Sequence, residues 1–108
     1  MGKSYFNLVN ERGNSVANQF VEVGVDGCMT FKSYSTYICS YNPSTKELFL
    51  NVTYLKHDLS GGSKTTMKHL YHFLRKHCGF VGLCSKKELS CMVLNDSKVS
   101  MVCDSFFV

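Results

Sequence analysis

At 108 residues the chain has room for one modest core and not for two domains, and 44% hydrophobic content with a single Pro excludes a linker or a disordered tail. The net charge of +4 is unevenly placed: Lys64, Lys68, Arg75, Lys76, Lys86 and Lys87 fall between Leu59 and Lys87 with no Asp or Glu among them, while the rest of the chain carries six basic and eight acidic residues. A basic excess confined to one segment points to an anionic partner for that segment.

The opening Met1-Gly2-Lys3-Ser4-Tyr5-Phe6 has no long apolar run and no small-residue cleavage site, so no signal peptide is expected. No stretch is long and apolar enough to span a membrane, and Phe6 stands where a myristoylated chain needs Ser or Thr. A cytosolic setting follows, in which the six cysteines, at 28, 39, 78, 84, 91 and 103, are expected as buried thiols and not as a disulfide framework. Asn51-Val52-Thr53 matches a glycosylation acceptor, which has no meaning without secretion.

Asn10 to Ser15 is turn-like, and Phe20 to Val25 then alternates, with Val21, Val23 and Val25 on one face of a strand. Asp26-Gly27 predicts a two-residue hairpin returning along Cys28 to Ser33. Ser35 to Tyr41 reads as a third strand, with Thr36, Ile38 and Ser40 opposite Tyr37, Cys39 and Tyr41. After the turn Asn42-Pro43-Ser44-Thr45-Lys46, a fourth strand carries Leu48, Leu50 and Val52 on one face.

The only long helix follows the glycine-marked run Leu59-Ser60-Gly61-Gly62. Met67, Leu70, Tyr71, Leu74 and Cys78 define its apolar face at helical spacing, Ser60 or Ser63 can cap its start, and Gly79 fits a left-handed C-terminal cap. Its polar face is basic, a stripe of Lys64, Lys68, His72 and Arg75 with Lys76 beside it. Ser85-Lys86-Lys87-Glu88 is a capping box opening a short helix that ends near Leu94. Asn95-Asp96 turns into a last strand with Val99, Met101 and Cys103. The order ββββ-α-α-β predicts one small α+β domain over residues 1–108, an antiparallel sheet of four to five strands with one long and one short helix on one face.

Three blocks of this sequence resemble a family of small uncharacterised proteins encoded by tailed bacteriophages: Arg12-Gly13-Asn14-Ser15-Val16-Ala17-Asn18-Gln19-Phe20, Phe31-Lys32-Ser33-Tyr34-Ser35-Thr36-Tyr37-Ile38, and the helix start Ser63-Lys64-Thr65-Thr66 through Phe73-Leu74. The resemblance covers roughly residues 12 to 75. Where that family tends to carry a tryptophan–aspartate–tyrosine run before the helix, this chain has His57-Asp58-Leu59-Ser60-Gly61-Gly62. The resemblance implies a viral setting in a host-cell cytoplasm and no particular activity.

Gly61-Gly62-Ser63-Lys64-Thr65-Thr66 lacks two glycines of a phosphate loop, since Ser63 and Asp58 occupy their positions, so nucleotide hydrolysis is not expected. A helix start still attracts anions, and Gly62, Ser63, Lys64 and Thr65 are the candidates, against a plain cap by Ser63, Thr65 and Thr66. His69, His72, His77, Cys78, Cys84 and Cys91 have zinc-ligand chemistry but no paired spacing, so neither a metal nor another cofactor is expected. No nucleophile carries a catalytic motif, which argues against an enzyme. Tyr34, Tyr37, Tyr41 and Phe49 offer aromatic sheet faces for single-stranded bases, against ordinary cross-strand packing. The expectation is a non-enzymatic phage accessory protein that binds and inhibits a host macromolecule, such as a defence protein. Lys64, Lys68, His72, Arg75 and Lys76 would face an acidic surface on a host or viral protein, and a nucleic-acid-binding module using the same helix is the alternative. No membrane is involved in either reading.

Overall fold

The alternating apolar stripes assemble into a six-stranded mixed sheet in the computed structural model, which describes residues 4–107. The strands are β1 (Ser4–Val9), β2 (Ser15–Val23), β3 (Met29–Ser33), β4 (Thr36–Asn42), β5 (Glu47–Asn51) and β6 (Val99–Val102). Helices α1 (Val52–Leu55), α2 (Lys64–His77) and α3 (Lys86–Asn95) lie between β5 and β6, and a 3-10 turn, Asp104–Phe107, follows β6. The strands stand in chain order across the sheet, β1 to β5 antiparallel and β6 parallel to β5.

The α+β class agrees with the expectation, while the sheet is larger and not wholly antiparallel. The strand Ser4–Val9 was not expected: only Leu8 in it is buried, because it forms the sheet edge, so its apolar signal is weak. Residues 1–3 and 108 lie outside the described part of the chain. Strand β6 is parallel because α1, α2 and α3 carry the chain back to the end of the sheet where β5 began, as a crossover connection must. The first helical turn, α1, takes Val52 out of the predicted fourth strand. Asn51 is the reason: its Oδ1 accepts from the N–H groups of Thr53 and Tyr54 and caps the turn.

One turn and one strand also differ from expectation. The loop from Gly24 to Cys28 is closed by Gly24 N–H to the Cys28 carbonyl and Gly27 N–H to the Gly24 carbonyl, with Gly27 at φ +87°. It is therefore longer than a two-residue hairpin, and Val25 stands exposed in it. In β4 the alternation breaks, because Phe31 pairs with Cys39 and Lys32 with Tyr37, leaving Ile38 as a bulge residue. Ile38 and Cys39 are consequently both buried.

One face of the sheet packs on α2: Phe31 stacks on Phe73 with centroids 5.5 Å apart, and Tyr41 meets Phe80 edge-on at 5.7 Å. Leu8, Val21, Leu48, Leu50, Leu70 and Leu74 fill the space between, and Leu55, Leu59, Leu83 and Leu89 extend the same core beneath the helices. The opposite face carries Tyr5 on Phe20, Lys32 over the Tyr37 ring at 5.1 Å, and Phe49, with Phe106 and Phe107 of the 3-10 turn packed on Phe49 and Tyr37. Asn51 ties these layers together. Fully buried, it caps α1 and donates from Nδ2 to the Tyr37 carbonyl at 2.7 Å and the Asp104 carboxylate at 3.0 Å. That burial closes it to glycosylation in the folded protein.

Candidate basic groove beside the long helix

Helix α2 begins where the sequence places it. Ser63 is the N-cap, its Oγ accepting the Thr66 N–H at 3.1 Å, and Gly79 follows its end at φ +77° while the Leu74 carbonyl accepts from Cys78 and Phe80. The double glycine before it serves packing. A Cβ on Gly61 would run into the Tyr54 carbonyl, and the Gly61 N–H donates to Leu55 at 2.9 Å. The Gly62–Thr65 corner is thus a capped helix start held against α1, with Lys64 and Thr65 exposed.

The buried arc of α2 is Thr66, Met67, Leu70, Phe73 and Leu74, rotated from the predicted stripe so that Phe73 enters the core. Tyr71, expected in the core, is half-buried on the flank, and Cys78 is buried as expected. Burial, with Cys84 nearby, pushes the Tyr71 phenol up.

The loop between α2 and α3 folds back along this flank. Arg75 holds it there, one guanidinium nitrogen donating to the Leu83 carbonyl at 2.7 Å. The second is 3.9 Å from the exposed carboxylate of Glu11, on the turn between β1 and β2. Ser85 caps α3 as predicted, its Oγ accepting the Glu88 N–H, and the Glu88 carboxylate returns to Ser85 Oγ and the Cys84 N–H, which holds that carboxyl below its ordinary range.

Between the helix flank and this loop lies a groove of about 730 Å³. Met67 and Tyr71 form its apolar floor, and Lys64, Lys68, Arg75 and Lys86 surround it, with Cys84 on the loop side. A smaller hollow of about 360 Å³ lies across the helix, where Lys68, His69 and His72 face Glu11 and Val16.

The predicted basic stripe therefore separates into two kinds of residue. Lys64, Lys68 and Lys76 are exposed cations. Arg75 clamps two loops, and His72 donates from Nε2 to the Val9 carbonyl at 2.6 Å, so both act within the fold. The stripe read from the sequence as one partner-facing surface is therefore only partly exposed, since His72 and Arg75 are half-buried against neighbouring loops. The helix dipole sharpens the distinction. Arg75, Lys76 and His77 in the last turn suit the negative end of α2, whereas Lys64 in a first turn without acids opposes the positive end. Lys64 thus carries a stability cost of ~0.3–1 kcal/mol that the fold itself does not explain.

Sequence reasoning missed Lys86 and Cys84 as a facing wall. The signal was present in the acid-free run that includes Lys86, but only the fold-back of the loop brings it across from Lys64 and Lys68.

The remaining candidates fall elsewhere. Among the described residues no group of three or more His, Cys, Asp or Glu side chains is placed to hold a metal ion. The cysteines are unpaired thiols, of which Cys39 and Cys78 are buried, Cys28 is half-buried, and Cys84, Cys91 and Cys103 are exposed. The expectation of buried thiols is corrected by that count: Cys91 is on the exposed side of α3, and Cys84 and Cys103 lie on the exposed connections before α3 and the 3-10 turn. Tyr41 faces the core and Tyr34 stands in an exposed turn, while Tyr37 and Phe49 lie on the sheet face opposite α2. No described helix is long and apolar enough to cross a membrane.

A profile for a family of unknown function, DUF8033, matches residues 5–90. The chain belongs to that family. The DUF8033 match runs from β1 into α3 and so includes every residue lining the groove, while β6 and the 3-10 turn lie beyond it. No curated protein and no solved structure matches the chain.

Proposed function

We propose that this DUF8033 chain is a non-enzymatic accessory protein of a bacteriophage or prophage, acting in the host cytoplasm, which binds and inhibits a host protein by seating an acidic segment in the groove beside α2. The groove carries this reading: four cationic side chains surround an apolar floor of Met67 and Tyr71. Cations around an apolar centre suit a protein segment with carboxylates flanking an apolar side chain, since interface centres are apolar and rims polar. The viral setting rests on the resemblance of the three blocks between residues 12 and 75.

Nucleic acid is less well served. Its phosphates would lie along α2, yet Tyr5, Phe20, Tyr37 and Phe49 are on the opposite face of the sheet. Bases could not stack there while the backbone followed the helix.

The test is affinity capture from phage-infected host lysate, with and without nuclease, followed by direct binding of the captured protein. The charge reversal Lys64→Glu, Lys68→Glu and Lys86→Glu avoids the Arg75 clamp and should not lower melting. It should slow association at least ~10-fold in low salt, because exposed charge acts mainly on encounter. Capture abolished by nuclease, with affinity falling ~10³–10⁵-fold between 50 and 200 mM salt, would establish the nucleic-acid alternative instead.

A further inference from the structure

Two helix starts open into the groove beside α2. Lys64 is the first residue of α2 after its Ser63 cap, and Lys86 is the first residue of α3 after its Ser85 cap. Each lysine therefore stands at the positive end of a helix, where a cation is disfavoured and an anion is held. Both line the groove with Lys68 and Arg75, and no residue lining it is acidic. The acids that act on this region are engaged elsewhere: Glu88 with Ser85 and the Cys84 N–H, and Asp58, which attracts Lys86, with the Ser60 N–H. Lys64 and Lys68 are one turn apart, ~6 Å along the axis, and Tyr71 lies ~4–5 Å beyond Lys68. Three cations thus gather at the helix starts, and the apolar floor of Met67 and Tyr71 runs on from them. The groove volume of about 730 Å³ falls in the range of small-molecule sites.

We infer that the groove is a binding site for a free nucleoside polyphosphate, its phosphates held by Lys64, Lys68 and Lys86 and its base laid on Tyr71 and Met67. Lysines act as point charges and suit a flexible chain of phosphates. The Met67 thioether and the Tyr71 ring both pack well against an aromatic ring. One tyrosine serves one base, whereas a nucleic-acid strand lays successive bases on a row of rings. A bound polyphosphate offsets the repulsion among the three lysines and the misplacement of two of them at helix starts, so binding stabilises the fold. Phosphates and an acidic segment would use the same cations and exclude one another. That exclusion rests on the function proposed above; the nucleotide site itself does not.

Isothermal titration of the full chain with ATP, in EDTA and ~100 mM salt, tests the site against tripolyphosphate, adenosine and a single-stranded oligothymidylate. ATP should bind one per chain with Kd below ~1 mM. It should bind at least ~10-fold tighter than tripolyphosphate or adenosine, because stacking adds to charge. Backbone amide shifts should move at 62–71 and 84–86 and not in β5 or β6. Lys64→Glu with Lys86→Glu should weaken ATP and tripolyphosphate alike, by at least ~10-fold. Tyr71→Leu should weaken ATP alone. Lys46→Glu, which reverses an exposed charge outside the groove, should weaken neither. If Tyr71→Leu fails to fold, the wild-type comparison of ATP with tripolyphosphate carries the test of the ring. No ATP binding below ~1 mM, tripolyphosphate binding as tightly as ATP, amide shifts confined to other surfaces, or oligothymidylate binding tighter than ATP would each overturn the inference. None of these readouts uses a captured host protein, so the nucleotide site and the protein-segment reading fail separately.

Discussion

Replacing Asn51 by Ala removes one fully buried side chain and four hydrogen bonds from the junction of β4, β5, α1 and the C-terminal turn. The lost cap on Thr53 and Tyr54 costs ~1 kcal/mol. The Tyr37 carbonyl, left without its 2.7 Å donor in a half-buried position, adds ~1–2 kcal/mol. Asp104 is exposed and can turn to water, so its loss adds little. The total is about 2–3 kcal/mol against the 5–15 kcal/mol that stabilises a typical domain. For a chain of 108 residues that lowers Tm by ~9–13 °C. Urea unfolding followed by far-UV circular dichroism measures it. Asn51→Asp keeps the cap and loses both donations, so it should be destabilised at neutral pH and recover as the pH falls and the new carboxyl takes a proton. A variant Asn51→Ala within ~0.5 kcal/mol of wild type would show that the junction is held by other contacts, and the central role of this side chain would have to be abandoned.

Leu70→Ala and Leu74→Ala should each destabilise by ~2–5 kcal/mol and Phe73→Ala by ~3–5 kcal/mol, because all three are fully buried; Tyr71→Ala should cost clearly less, and equal losses in thermal melts would return Tyr71 to the core. A thiol reagent should titrate Cys84, Cys91 and Cys103 quickly in the native protein, Cys28 slowly, and Cys39 and Cys78 only after unfolding. Burial holds both of the last two as thiols, pushing Cys78 up to about 12, so rapid native reaction of all six would contradict the packing. His69 and His77 are held below the ordinary value of 6.5, first by burial and then by Lys68 and Lys76 respectively, with His72 adding to each. With a depressed folded value the unfolded chain takes the proton first, so their contribution is complete above pH 6.5 and is lost as the pH falls through 6.5 toward the folded values. Tm should therefore drop between pH 7.5 and 5.5, and His77→Gln should flatten the drop; an unchanged slope would place the pH dependence on other groups.

How far the fold is legible in the sequence depends on how many faces each segment buries. Val21, Leu48, Leu50, Leu70 and Leu74 repeat with the period of their elements and are all buried. Ser63, Ser85, Glu88 and Gly79 mark helix ends through hydrogen bonds made within a few residues, so they too are readable locally. What escapes is set by distant partners. Among the described residues strand β1 has one neighbour and one fully buried residue, so its alternation is faint. The bulge at Ile38 exists only relative to β3, and the parallel placement of β6 follows from three helices that precede it.

The basic stripe shows the same division inside the candidate site. Helical periodicity correctly places Lys64, Lys68, His72 and Arg75 on one side of α2, because angular position depends on sequence alone. It cannot say what stands beside that side. The turn after β1 approaches His72 and offers the Val9 carbonyl, and the loop before α3 approaches Arg75 and offers the Leu83 carbonyl. Two of the four stripe positions are therefore consumed in fastening loops to the helix. The loop fastened by Arg75 also delivers Lys86 across the groove from Lys64 and Lys68. Arg75, one of the residues expected to contact a partner, thus builds the wall that makes a site. Arg75→Lys keeps the charge but lacks the fork that reaches both the Leu83 carbonyl and Glu11, so it separates the two roles. If the groove depends on the clamp, this conservative change weakens partner binding and loosens amides around Leu83 to Lys86; if only the positive charge matters, neither changes.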